Sequence, residues 1–483
     1  MNDARDLRSK TNFHSSDTLH MTESIAAPFQ LLTALFGDAA MAHVFSVEQT
    51  IQAWLDVEIA LAEAQHEAGI LTAAEVSAIR AAAVPANVDV TNLISGGRIV
   101  GYPILPLVRE ITTKLDHGRL ARMHYGATTQ DIMDSALAIQ LRNAVARLDE
   151  LLDTFGESLA ELVGRHRETA MMGRTHAQHA TPTTFGAKLA VFLDELTRHR
   201  HRLAEALPRI ARVSLFGAAG TSAALGSAVA SLRRSMGKRL DLVATDVPWH
   251  VARDSVAEFG LICGMVGATS ARFAREVIDL SRSEVGEVQE QGGYHRGASS
   301  TMPQKSNPIG SEAIIGMSAT AGALAGGLFR AMEANHERAA GEWQIEWQVI
   351  PNVAYLAASC LSEAASIGRS LQVFPDIMRA NLDNEGGFAL SEAYMMALAP
   401  AIGREAAHDL VYQAVLEARR SKRSLHDQLA AMDDKALKGL RRIESSEYLG
   451  EAPTICDSAL SAWRVSQSAA LLRRAEGIVA DAR

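Results

Sequence analysis

Residues 297–312 read Gly-Ala-Ser-Ser-Thr-Met-Pro-Gln-Lys-Ser-Asn-Pro-Ile-Gly-Ser-Glu. A stretch so loaded with polar groups, shaped by prolines and leading into alanine- and glycine-rich sequence, reads as a catalytic loop. Lys305 is a point cation, Asn307 offers N–H donors, and Ser299 and Ser300 can give or take a proton. Together they suit chemistry in which negative charge builds on a substrate carboxylate as the proton on the neighbouring carbon leaves. The competing reading is a Pro/Gly turn carrying a solvated lysine.

Further polar motifs stand apart from this loop. His124-Tyr125-Gly126-Ala127-Thr128-Thr129-Gln130-Asp131 precedes a long helical pattern. Unpaired N–H groups and the helix dipole favour an anion there, so Thr128, Thr129 and Gln130 are candidates to hold a carboxylate. An ordinary helix cap supplied by Thr129 or Asp131 is the alternative. In Gly173-Arg174-Thr175-His176-Ala177-Gln178, His176 is the side chain suited to moving protons near neutral pH. On its residues alone, His176 and the nearby His179 are as readable as core as they are as site. For Arg253, and for Arg338 in His336-Glu337-Arg338, a substrate contact and a bundle salt bridge both remain open. Glu284, Glu287 and Glu290 read as a solvated helix face.

These groups need a frame, and the pattern supplying it is helical almost throughout. Ser46 with Gln49 forms a capping-box pattern, followed by an apolar stripe to Gly69. After Asp134, Leu137, Leu141, Val145, Leu148, Leu152, Phe155, Leu159 and Leu162 alternate steps of four and three, the spacing of a bundle helix. Further helices read at about 186–206, 254–285, 309–336, 352–372, 403–420 and 458–478. The expectation is an all-α protein on long bundle helices. Its division is a disordered tail over 1–22, an N-terminal helical domain over 23–134, a central long-helix bundle over 135–374 carrying the catalytic loop 288–308, and a C-terminal helical domain over 375–483.

Composition excludes more than it assigns. A formal net charge of −9 with no basic tract argues against a nucleic-acid surface. Three cysteines without CxxC spacing indicate neither a disulfide framework nor a zinc site. The polar first residues do not read as a secretory signal, and the apolar stretch from Gly316 to Phe329 reads as too short for a membrane span. No metal or cofactor motif appears. A cytoplasmic enzyme without cofactor, nucleic-acid partner or membrane is expected.

The run Ser299 to Pro308, joined in order by the other two motifs, resembles the signature of the fumarase/aspartase superfamily. The resemblance covers the chain from about Phe29 to about Ala475. It implies a three-part all-α fold and a homotetramer whose active sites are shared between subunits. It further implies Ser299 as the base, with Ser300 as its rival, and Lys305 and Asn307 as the charge sink. His176 would be paired with Glu312, while Thr128, Thr129, Gln130, Thr175 and His124 would lie around the substrate.

Leu35-Phe36-Gly37-Asp38, Phe216-Gly217-Ala218-Ala219-Gly220-Thr221 and the segment from His336 to Trp343 resemble the branch of adenylosuccinate lyase and 3-carboxy-cis,cis-muconate cycloisomerase. Val100 to Val108 looks like the cycloisomerase version and lacks the nucleotide-binding elements of the other. Yet His176 stands where those cycloisomerases tend to carry tryptophan, and Ser306 where they carry arginine. The loss of a cation disfavours a tricarboxylate, while the histidine preserves a proton donor for a departing group. The expectation is therefore a succinyl-type dicarboxylate losing a Cβ proton, with C–N elimination to fumarate. Epimerisation of an iminodisuccinate-like substrate, cycloisomerisation, and a non-catalytic structural tetramer are the alternatives.

Overall fold

The computed structural model describes residues 30–115, 122–290, 297, 301–302, 305–338, 340–384 and 386–476. Its long helices are α1 (Val47–Glu67), α2 (Thr129–Arg165), α3 (Phe185–Ile210), α4 (Asp254–Ser281), α5 (Ile309–Gly326), α6 (Glu342–Ser370), α7 (Ser391–Ile402), α8 (Arg404–Ser421) and α9 (Ala452–Glu476). Between α2 and α3 lies an antiparallel hairpin of β1 (Ala170–Thr175) and β2 (Gln178–Thr184). The fold is all-α, with α2, α3, α4 and α6 forming a long central bundle around one apolar core.

Local signals explain several boundaries. Ser46 caps α1, its Oγ accepting from the N–H of Gln49 at 3.2 Å, and Gly69 follows the helix at φ +73°. The stripe from Leu141 to Leu162 is buried along α2. That helix starts before Asp134, however, with Thr128 as its N-cap, so Thr129 and Gln130 occupy its first turn.

The apolar clusters cut across the expected boundaries. Leu55, Ile79 and Ile111 share a core with Ile132 and Ile139 of α2 and with Val213, Leu215 and Met236. A small cluster around Tyr394, Val411 and Leu425 makes a separate C-terminal core. Helix α9 does not join it: Ala452, Cys456, Ala459 and Trp463 return to the central bundle.

The apolar run that reads as 316–329 is longer in the structure. Helical structure across Ile309–Ala331 reaches 23 residues at a hydropathy of 1.3, long and apolar enough to cross a membrane by length and composition. Here it lies along the bundle, with 28% of its most apolar window buried. Gly316, Gly322 and Gly326 have nothing within 4 Å of where a Cβ would stand.

Candidate active site

The approach to α2 requires unusual backbone. His124 sits at φ +63° and Gly126 at φ +77°, and a Cβ on Gly126 would lie 2.5 Å from Leu225 Cδ2. Glycine is therefore required twice over, by conformation and by space. The turn delivers Thr128 as N-cap and buries Asp131 completely.

Asp131 organises this end of the molecule. Its carboxylate accepts from the N–H groups of Thr128 at 3.0 Å, Phe216 at 2.8 Å and Gly217 at 2.9 Å. It also accepts from Ser214 Oγ at 3.2 Å and His250 Nε2 at 2.8 Å. One side chain thus ties the helix start to the segment 214–217 and to His250. Arg338 reaches the same place: Nη2 donates to Thr128 Oγ1 at 3.2 Å and to the Ala218 carbonyl at 3.4 Å, while Nε is buried without a partner. Asp131 caps the helix start, and beside it half-buried Thr128 and Thr129 with the Arg338 guanidinium form a surface suited to a carboxylate.

His124 borders this region and contacts buried Glu58, Nδ1 to Oε1 at 2.6 Å. Burial works to lower the histidine value, but the charge and hydrogen bond of Glu58, with the charge of Asp131, raise it above the ordinary range.

Two residues expected to hold substrate are committed elsewhere. Gln130 is buried, and its Nε2 donates to the His250 carbonyl at 2.8 Å. Arg253, 2% exposed, donates through Nε and Nη2 to Glu346 and through Nη1 and Nη2 to Asp134 at 2.9 and 3.0 Å. Its Nη1 also meets the Trp249 carbonyl at 3.3 Å. The salt-bridge reading of Arg253 holds, because every donor nitrogen is spent inside the bundle. Burial pushes both partner carboxyls above their usual range against the pull of the guanidinium.

The hairpin presents a second group. Thr175 pairs with Gln178, so His176 and Ala177 form a two-residue loop, at φ +50° and +58°. Both positive values mark the type I′ turn that matches strand twist. Thr175, His176 and Gln178 are exposed at the tip. Below it, Arg174 forms a bidentate pair with fully buried Glu287 at 2.9 and 2.7 Å, and Glu287 also accepts from Asn381 Nδ2 at 2.9 Å.

The solvated-face expectation therefore fails for two of the three glutamates. Helix α4 ends at Ser281, so 284–290 is not helical, and only Glu284 is exposed. Buried Glu290 accepts from the N–H groups of Gly310 at 3.2 Å and Ser311 at 2.8 Å, and from Ser311 Oγ at 2.6 Å, capping the start of α5.

The loop motif is anchored at its base. Asn307, half-buried, donates its N–H to the Gly297 carbonyl at 2.9 Å. Gly297 has φ +66°, and a Cβ there would fall 2.5 Å from the Asn307 oxygen. Lys305 and Glu312 are exposed. Ser299 and Ser300 lie outside the described residues. Among the described residues, no hydrogen bond or ion pair joins Thr128, His176, Lys305 and Glu312 to one another within one chain. Asp131, Glu287, Glu290 and His250 carry roles that the sequence reading did not assign; only the position of Asp131 as a possible cap gave a signal.

Comparison with known proteins matches the Lyase family over residues 36–322 and the adenylosuccinate lyase C-terminus over 387–459. A 3-carboxy-cis,cis-muconate cycloisomerase of Pseudomonas aeruginosa is 39% identical over 440 residues, covering 89% of this chain and 96% of that protein. An N-acetyl-S-(2-succino)cysteine lyase of Dickeya dadantii is 32% identical over 395 residues, covering 82% and 87%. The crystal structure of a 3-carboxy-cis,cis-muconate lactonizing enzyme from Pseudomonas putida superposes with a TM-score of 0.85 at 35% identity, covering 91% of this chain and all of that one. The signature motifs, the helical bundle and these relatives agree, and the chain belongs to the fumarase/aspartase superfamily, in the branch of 3-carboxy-cis,cis-muconate cycloisomerase and adenylosuccinate lyase.

Proposed function

We propose that the protein is a cycloisomerase-type enzyme acting on a small tricarboxylate of the 3-carboxymuconate class. The observation that carries this reading is the 39% identity extending over 96% of a cycloisomerase. In lactonisation a substrate carboxylate oxygen bonds to one alkene carbon while its neighbour gains a proton, so the atoms balance without a co-reactant. The carbanion next to a carboxylate is the species to be stabilised in either direction. Thr128, Thr129 and Arg338 would hold one carboxylate at the α2 terminus, and Lys305 and Asn307 would stabilise the aci-carboxylate. Ser299, with Ser300 as rival, would exchange the carbon-bound proton, and His176 with Glu312 would serve the opposite face. C–N elimination to fumarate has no support from the relatives named above.

The absence, among the described residues, of a hydrogen bond or ion pair joining Thr128, His176, Lys305 and Glu312 within one chain, and the small-residue exposed face of α5, support a homotetramer with shared sites. A second reading, elimination of a thiol from a succinylated substrate, is favoured by His176 and by the N-acetyl-S-(2-succino)cysteine lyase relative. Incubation with 3-carboxymuconate in deuterated water separates them. Lactone formation with one deuterium at carbon is expected. Fumarate release from N-acetyl-S-(2-succino)cysteine, with no lactone from 3-carboxymuconate, would overturn the first reading.

A further inference from the structure

Between the tip of the β1–β2 hairpin and the C-terminal helices lies a cavity of about 420 Å³. Its wall includes Gln178 and His179 of the hairpin, Phe388 and Ser391 at the start of α7, and Val415 and Arg419 on α8. Ala177 also lines it, so the cavity opens one residue from His176. It is large enough for a small organic acid and falls in the usual range of ligand sites.

Arg419 gives the cavity its chemical character. The guanidinium lies over the Phe388 ring, 5.2 Å from the centroid. Among the described residues it has no carboxylate partner. The ring contact holds the guanidinium at the cavity wall, where its charge and its fork of N–H donors are chemically matched to a carboxylate. A carboxamide and an imidazole are the other polar groups of the hairpin wall, and no Asp or Glu lines the cavity. Its charge is therefore positive.

We infer that this cavity receives the substrate arm bearing the third carboxylate, and that Arg419 is the cation selecting it. This rests on the reading of the substrate as a small polycarboxylate reacting beside His176.

Calorimetric binding of two inert acids, tricarballylate and succinate, to the assembled full-length protein tests the inference without requiring turnover. The wild-type protein is expected to prefer tricarballylate. Arg419→Gln is expected to weaken tricarballylate about 10–100-fold, the scale of one charged hydrogen-bonded contact, while leaving succinate within about twofold. Arg419→Lys, which keeps the charge but not the fork, is expected to lose less. Equal losses for both acids, no loss for either, or no wild-type preference would each overturn the role of Arg419. Absence of turnover on 3-carboxymuconate would instead refute the proposed reaction while this binding comparison still decides the cavity.

Discussion

Replacing Asp131 by asparagine tests how the helix start and the Gly217 segment are held together. The native carboxylate accepts five hydrogen bonds: Oδ1 from Phe216 N–H, Ser214 Oγ and His250, and Oδ2 from Thr128 and Gly217 N–H. Asparagine keeps one oxygen. Its amide must then face either three donors or two, and the lesser conflict places it against Thr128 and Gly217. Each lost contact to a charged acceptor is worth about 1.5–3 kcal/mol, so local opening of these amides becomes easier by about 3–6 kcal/mol. Even the lower figure corresponds to about 100-fold faster hydrogen exchange. Exchange mass spectrometry of peptides spanning 125–130 and 214–218 should show it, while the Ser311 amide, held by Glu290, stays protected. Because Arg338 bonds both Thr128 and Ala218, KM should also rise, about 10-fold or more. Unchanged exchange at Gly217 together with unchanged KM would refute the assignment of Asp131 as the positioning residue.

Arg253→Met should lower the unfolding midpoint sharply, by an amount corresponding to about 3–5 kcal/mol, because Asp134 and Glu346 are left buried without their cation. Adding Asp134→Asn and Glu346→Gln should recover much of that loss; no recovery would mean that packing, not charge, is at stake. His199 sets an acid limit. It is buried between Thr269, 2.9 Å from Nε2, and Arg202, 3.3 Å from Nδ1. Burial, aided by the charge of Arg202, holds it down to about 4. A value depressed in the folded state means that the unfolded chain takes up the proton first. Stability from this group is thus full above pH 6.5 and drains as pH falls toward 4, by about 3 kcal/mol at most. Unfolding midpoints at pH 7 and pH 4.5 should differ less in His199→Gln than in the wild type; equal differences would remove His199 as the cause.

Periodicity made the bundle legible, because an apolar stripe at steps of four and three reports a buried helix face directly. It failed where a long-range partner overrides local preference. The sequence reads as a helix over about 352–372, yet α6 begins at Glu342 and runs through Pro351. The missing N–H and ring clash cost about 3 kcal/mol, which burial of Trp343, Val349, Ile350 and Val353 along one face offsets. Glu287 reads as solvated because its arginine partner lies 113 residues earlier. The link between Asp131 and His250 spans 119 residues and leaves no periodic trace. The polar motifs stood out in the sequence, but the partners of their members did not: Gln130 donates to the His250 carbonyl, while Thr128, two positions earlier, accepts from Arg338.

Backbone strain distinguishes those members in a way that composition does not. Among the described residues, three histidines adopt positive φ: His124 at +63°, His176 at +50° and His336 at +51°. Each lies in one of the polar motifs, and left-handed backbone costs an L-residue about 1–2 kcal/mol. At His124 the Glu58 contact offsets that cost inside the protein. At the hairpin tip nothing comparable does, since His176 is exposed and a type I′ turn would be relieved by asparagine and glycine in place of His176 and Ala177. Folding alone gives no reason to keep an imidazole there. A strained turn of this kind persists where a functional group needs that position, which is the role proposed above for His176.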